Sequence, residues 1–174
     1  MVRLKYHKMN FFYIMEKDIV YIIMAHGQSE GVKSVRRWDH KTPYSIHPIW
    51  CATMLLHETS LPEDLRQDGS LALLYHDILE DTPFPLPCWL SERVLGLVNE
   101  MTFRSFQDEI EMIWGRSKEA RLLKLYDKTS NLLDGAWMEV EKMGKYTNHT
   151  SKLCEDVERN YGELNITKVV RAII

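Results

Sequence analysis

The chain has 174 residues, 45% hydrophobic, 10% aromatic and 27% charged, a composition that excludes disordered, collagenous and disulfide-scaffold classes. That length suits one domain with a real core, here taken as residues 1–174. Its 22 basic and 25 acidic side chains give a formal charge of −3, so no global cationic field points to polymeric nucleic acid.

Apolar residues recur mostly at three- and four-residue spacing, which predicts an all-α fold. A first helix is expected from about Phe11 to Ala25, ending near Gly27. Glu16, Lys17 and Asp18 interrupt this apolar stretch, leaving it short of the ~20 residues a membrane-spanning helix needs. Arg3, Lys5 and Lys8 ahead of it faintly resemble a signal peptide, but no small-residue cleavage site follows. Scattered Cys51, Cys88 and Cys154 form no C-x-x-C pair and read as reduced thiols, so the expected location is cytoplasmic.

The polar segment Gln28–Tyr44 reads as a loop, and Pro48 suits the first turn of a helix running to about His57, with His47 at its mouth. Glu63 to Asp81 reads as one helix, stopped by Pro83, Pro85 and Pro87. Weaker helices follow at about Cys88–Glu100 and Gln107–Trp114, a strong one at Lys118–Asp134, and two more at Lys145–Tyr161 and Ile166–Ala172. The five tryptophans are expected mostly in helix packing. Trp38, beside Arg36 and Arg37, also offers a face on which a base could stack.

Two segments carry chemistry. In Leu-Leu-Tyr-His-Asp-Ile-Leu-Glu-Asp-Thr, adjacent His76 and Asp77 point about 100° apart on a helix and can reach one ion. Glu80 and Asp81 follow one turn later. Four such groups are costly to desolvate unless paired or bound to a cation; the competing reading is a solvated helix end. Lys124, Asp127, Lys128 and Asn131 form a polar stripe on the strong helix. Alone, that stripe reads first as an exposed amphipathic face with Lys–Asp pairs, and second as an oxygen ligand flanked by phosphate-binding ammoniums. His47, taken singly, reads as structural. Two imidazoles with two carboxylates would suit Mn²⁺ or Fe²⁺, with Zn²⁺ as an alternative.

His47, His76-Asp77 and Asp127 in this order resemble the H…HD…D signature of the HD-domain metal phosphohydrolases. Ala25–Gln28, Thr42–Ile49, Ala72–Thr82 and Lys124–Leu132 further resemble the RelA/SpoT-type hydrolase domain, most closely its small stand-alone form, with core motifs over residues 25–131. The resemblance implies His47, His76, Asp77 and Asp127 as ligands of a single Mn²⁺, and Glu80 and Asp81 as the pair that positions and deprotonates water. It implies Asn131, Lys128 and one of Arg36 or Arg37 as substrate contacts, and Lys41 and Lys124 complete the cationic set. Tyr126 and Leu133 depart from the family pattern at positions expected to border the base and ribose pocket.

The implied activity is Mn²⁺-dependent removal of the 3′-pyrophosphate from guanosine tetra- or pentaphosphate, a small anionic partner. The alternative is an HD-type phosphohydrolase of ordinary nucleotides, a triphosphohydrolase or 5′-nucleotidase. A third reading is a catalytically silent binding module, which expects a lost ligand, and none is lost. The oligomeric state is left open. His7, His26, His40, His57 and His149 lack partners at ligand spacing and read as structural or exposed.

Overall fold

A computed structural model describes the backbone of residues 3–29 and 34–174 and the side chains of residues 15–29 and 34–174. The described residues are helical with no strand; one isolated antiparallel bridge joins Val35 to Pro43. The helices are α1 (Arg3–Gly27), α2 (Ile46–Leu56), α3 (Glu63–Tyr75), α4 (Ile78–Asp81), α5 (Glu92–Met101), α6 (Phe106–Met112), α7 (Lys118–Leu133), α8 (Val140–Tyr161) and α9 (Asn165–Ile173). No helix among the described residues is long and apolar enough to cross a membrane.

Serine caps set several starts: Ser91, Ser105 and Ser117 accept hydrogen bonds from the backbone N–H groups of Val94, Asp108 and Ala120. α1 begins earlier than its apolar pattern, because no glycine or proline interrupts the chain between Arg3 and Gly27. α8 likewise begins five residues before Lys145, at Val140, and runs through Gly144.

α7 lies at the centre, packed against α2, α3, α5, α8 and α9. Its apolar residues Leu122, Leu123 and Leu125 are fully buried, and so is Tyr126. Gly69 permits the tight crossing of α2, α3 and α7: a β-carbon there would lie 2.7 Å from Leu55 Cδ2 and 3.0 Å from Leu123 Cδ2. Because α7 has packed neighbours on so many sides, its polar stripe is not solvated. Lys124, Asp127 and Lys128 are each 5% exposed or less, which overturns the exposed-face reading.

The expected helix Glu63–Asp81 is divided at His76-Asp77. The Leu73 carbonyl, the acceptor a continuing helix would offer the Asp77 N–H, accepts from His76 Nδ1 at 2.8 Å. Asp77 sits at φ −92°, ψ −4°, and a single turn, α4, follows before the prolines. The tryptophans pack at the margins of the helices: Trp50 is half-buried against the core, Trp89 meets Tyr21 edge-on and Trp114 meets His149, while Trp38 is exposed.

Candidate active site

The interrupted α3/α4 segment, the start of α2 and the middle of α7 meet at one point. His47 Nε2 and His76 Nε2 lie 3.3 Å apart, with Asp127 Oδ1 at 3.4 Å and 3.7 Å from them. Asp77 is adjacent to both rings, its Oδ2 3.4 Å from His47 Nε2 and its Oδ1 3.1 Å from His76 Nε2. His47, His76 and Asp127 each offer one ligand atom within 4.8 Å of the others, and among the described residues no other His/Cys/Asp/Glu group of three does so.

The donor chemistry fits a divalent cation. A carbonyl only accepts, so the Leu73 contact fixes the proton of a neutral His76 on Nδ1 and leaves Nε2 as a lone pair. His47 Nδ1 is likewise held, at 2.8 Å from Ser130 Oγ. Lone pairs and carboxylate oxygens facing one another repel unless a cation lies among them. Their separations match donors that share an ion with bonds of roughly 2.0–2.2 Å. Burial alone would raise both carboxyls. With the imidazoles protonated, the positive charge of His76 and His47 holds Asp77 far below its ordinary value, and Lys124, Lys128 and hydrogen bonds from the two rings do the same for Asp127; a bound cation would supply that charge in place of the ring protons.

The carboxylates of this centre, Asp77 and Asp127, line a cavity of about 290 Å³, with the two imidazoles directly behind them. Glu80, Asp81, Lys124, Lys128 and Asn131 line it, as do Arg36 and Arg37. Glu80 Oε1 accepts from the Phe103 N–H at 3.0 Å, and Asn131 Nδ2 donates to Asp127 Oδ1 at 2.7 Å. The two arginines have different surroundings. Arg36 is buried, with Nε 2.7 Å from Asp134 Oδ2 and a hydrogen bond to the Ser130 carbonyl. Arg37 is exposed and lies over the Trp137 ring, 4.2 Å from its centroid. Lys41 is exposed and does not line the cavity.

The two departures from the family pattern lie in different surroundings. Tyr126 points into the core and does not line the cavity, because its neighbour Asp127 takes the cavity-facing direction. Leu133 borders a second, mostly apolar cleft with Trp38, Ile46 and Trp50.

Several residues at the site escaped sequence reasoning. Tyr44 donates its hydroxyl to Asp77 Oδ2 at 2.7 Å, and Ser130 braces His47. His26, read from the sequence as structural or exposed, packs tilted against Tyr44 at 4.9 Å, and burial pushes its pKa down to about 4. Glu109 abuts Lys124 and Lys128, and His149 lies 3.0 Å from it on the other side; both are buried. Their spacing along the chain carries no signal. Tyr44 and Ser130 lie within the quoted motifs and were legible there as neighbours of His47 and Asp127. The side chain of His7, and residues 30–33 of the predicted loop, lie outside the described residues.

An all-helical bundle carrying a His/His/Asp centre with an acidic pair beside it defines a metal-dependent phosphohydrolase of the HD class. No family model matches the chain. It is 31% identical over 132 residues to guanosine-3′,5′-bis(diphosphate) 3′-pyrophosphohydrolase MESH1 of Xenopus tropicalis, covering 69% of this chain and 72% of that protein. It is 34% identical over 110 residues to the same enzyme of Mus musculus, covering 57% and 60%. The solved structure of a metazoan ortholog of SpoT that hydrolyzes ppGpp shares its fold, with a TM-score of 0.71 and 24% identity over 91% of this chain and 92% of that one. The chain belongs to the MESH1 family of 3′-pyrophosphohydrolases.

Proposed function

We propose that this chain is a Mn²⁺-dependent hydrolase that removes the 3′-pyrophosphate of guanosine tetra- or pentaphosphate. The observation that carries the reading is the convergence of His47 Nε2, His76 Nε2 and Asp127 Oδ1 beside a cavity that Asp77, Asp127 and several cationic side chains line. His47, His76, Asp77 and Asp127 would hold the ion, and their mixed nitrogen and oxygen donors suit Mn²⁺, with Fe²⁺ or Zn²⁺ as alternatives. When bound, the ion supplies Lewis-acid polarisation of the scissile phosphoryl group and lowers the pKa of water.

The chain's own groups do the rest. Glu80 and Asp81, on the cavity wall, accept the proton of the attacking water. Burial holds the Glu80 carboxyl above its ordinary value, which makes its carboxylate a better base. Lys124 and Lys128 offset charge on the phosphoryl oxygens, and Asn131 contacts the nucleotide. Arg36 braces the loop through Asp134 and Ser130, leaving Arg37 as the arginine that meets substrate.

Arg37, Arg104 and Lys142 crowd the mouth of the cavity. Burial pushes the Lys142 pKa down, and the nearby Arg37 and Lys128 push it further. A polyphosphate relieves that repulsion, so the expected ligand is a small, highly anionic nucleotide rather than a polymer.

The test is incubation with Mn²⁺ and a panel of guanosine tetra- and pentaphosphates and ordinary nucleotides, with product identification. Pyrophosphate released from the 3′ side is the expected result. Triphosphate or orthophosphate released from the 5′ side would replace this reading with that of an ordinary nucleotide phosphohydrolase.

A further inference from the structure

Glu109 lies outside every motif in the chain, yet its carboxylate is buried at the cavity floor, 3% exposed. Its Oε2 accepts from Lys128 Nζ at 2.8 Å and faces Lys124 Nζ at 3.4 Å. The same two ammoniums reach Asp127 Oδ2, at 3.3 Å and 2.9 Å. Two cations and two carboxylates therefore alternate in one buried quartet of zero formal charge. Asp127 turns Oδ2 to the lysines and Oδ1 to the imidazoles.

Glu109 is held from the far side. His149 Nε2 lies 3.0 Å from Glu109 Oε1, and the His149 ring meets Phe106 edge-on at 5.6 Å, while Phe106 stacks on Tyr146 at 4.0 Å. α6 and α8 together fix the carboxylate against the lysines. Burial alone would raise its pKa, but Lys128, Lys124 and the His149 hydrogen bond bring it down to about 2, so it is ionised at neutral pH.

We propose that Glu109 is a positioning residue that draws Lys124 and Lys128 partly off Asp127 and so sets the affinity of the His47/His76/Asp127 centre for its divalent cation. The effect is electrostatic and rests on the metal reading above. With Glu109 neutralised, both ammoniums fall on Asp127 and the quartet carries +1 beside the cation position. Asp127 becomes a poorer donor and the local field opposes a dication. With one lysine neutralised instead, the quartet carries −1 and the field favours it.

The experiment is Mn²⁺ titration of the full chain, read by loss of the free-ion electron paramagnetic resonance signal, for wild type, Glu109→Gln, Lys128→Gln and the double variant. Glu109→Gln is expected to weaken Mn²⁺ binding by about 10–100-fold, the range for groups that orient metal ligands. Lys128→Gln is expected to tighten it, and the double variant to return close to wild type. A merely structural Glu109 would lower the melting temperature without this opposed pair of responses. If Glu109→Gln does not fold, the direction of the Lys128→Gln change decides. Unchanged or weaker binding in Lys128→Gln would overturn the proposal. A wild-type chain that takes up no Mn²⁺ would overturn the metal reading itself, a result distinct from equal affinities across the folded variants.

Discussion

The floor and the mouth of the cavity use charge in opposite ways. At the floor and just behind it, His47, His76, Asp77, Asp127, Lys124, Lys128 and Glu109 are all nearly inaccessible, and each charge faces an opposite one or a ring nitrogen. At the mouth, Arg37 and Arg104 are exposed, and half-buried Lys142 lies near the like charges of Arg37 and Lys128. Buried charges are tolerable only when paired, so the floor is a fixed instrument whose members cannot be altered singly without large effect. Exposed charges are screened by water and salt, so the mouth can attract an anion and each member contributes modestly.

This contrast can be broken or sharpened by mutation. The largest effect is expected at the floor. Asp77→Asn or His76→Ala should abolish Mn²⁺ uptake and turnover together, measured by metal titration and product release. Turnover by a metal-free variant would sink the metal reading. Next is Glu80→Gln, which should keep Mn²⁺ affinity and lower kcat by roughly 10²–10⁴-fold, the usual cost of losing a general base. Retention of full kcat would assign the proton to Asp81. The smallest effect belongs to the mouth. Arg37→Ala and Lys142→Ala should each raise KM by about tenfold, leave kcat nearly unchanged, and flatten the salt dependence of kcat/KM. A loss of kcat with constant KM in either variant would erase the distinction between the two regions.

Much of the floor was legible along the chain because its members sit in short motifs. His76-Asp77 are adjacent, Glu80 and Asp81 lie one turn on, and Lys124, Asp127, Lys128 and Asn131 share a helical face. What the chain could not show was whether that face is wet. A polar stripe has the same periodicity on a surface helix as on a central one, and only the packing of α7 against five other helices makes it buried. The break at His76 was hidden for a similar reason, since the sequence there remains compatible with a continuous helix until the prolines.

Glu109 and His149 mark the limit of sequence reading most clearly. They lie 40 residues apart, on helices of unremarkable pattern, and meet only because α6 and α8 both close over α7. The sequence by itself determined the all-helical class, the order of most elements though not the start of α1 or the break between α3 and α4, and the imidazoles and carboxylates that converge at the centre. These depend on local periodicity and on residue type. The tertiary structure alone decided which of those groups are dehydrated, which arginine is tied down, and how a distant carboxylate joins the lysines beside Asp127. Desolvation and long-range ion pairing are properties of what packs around a residue, and its near neighbours in the chain do not specify them.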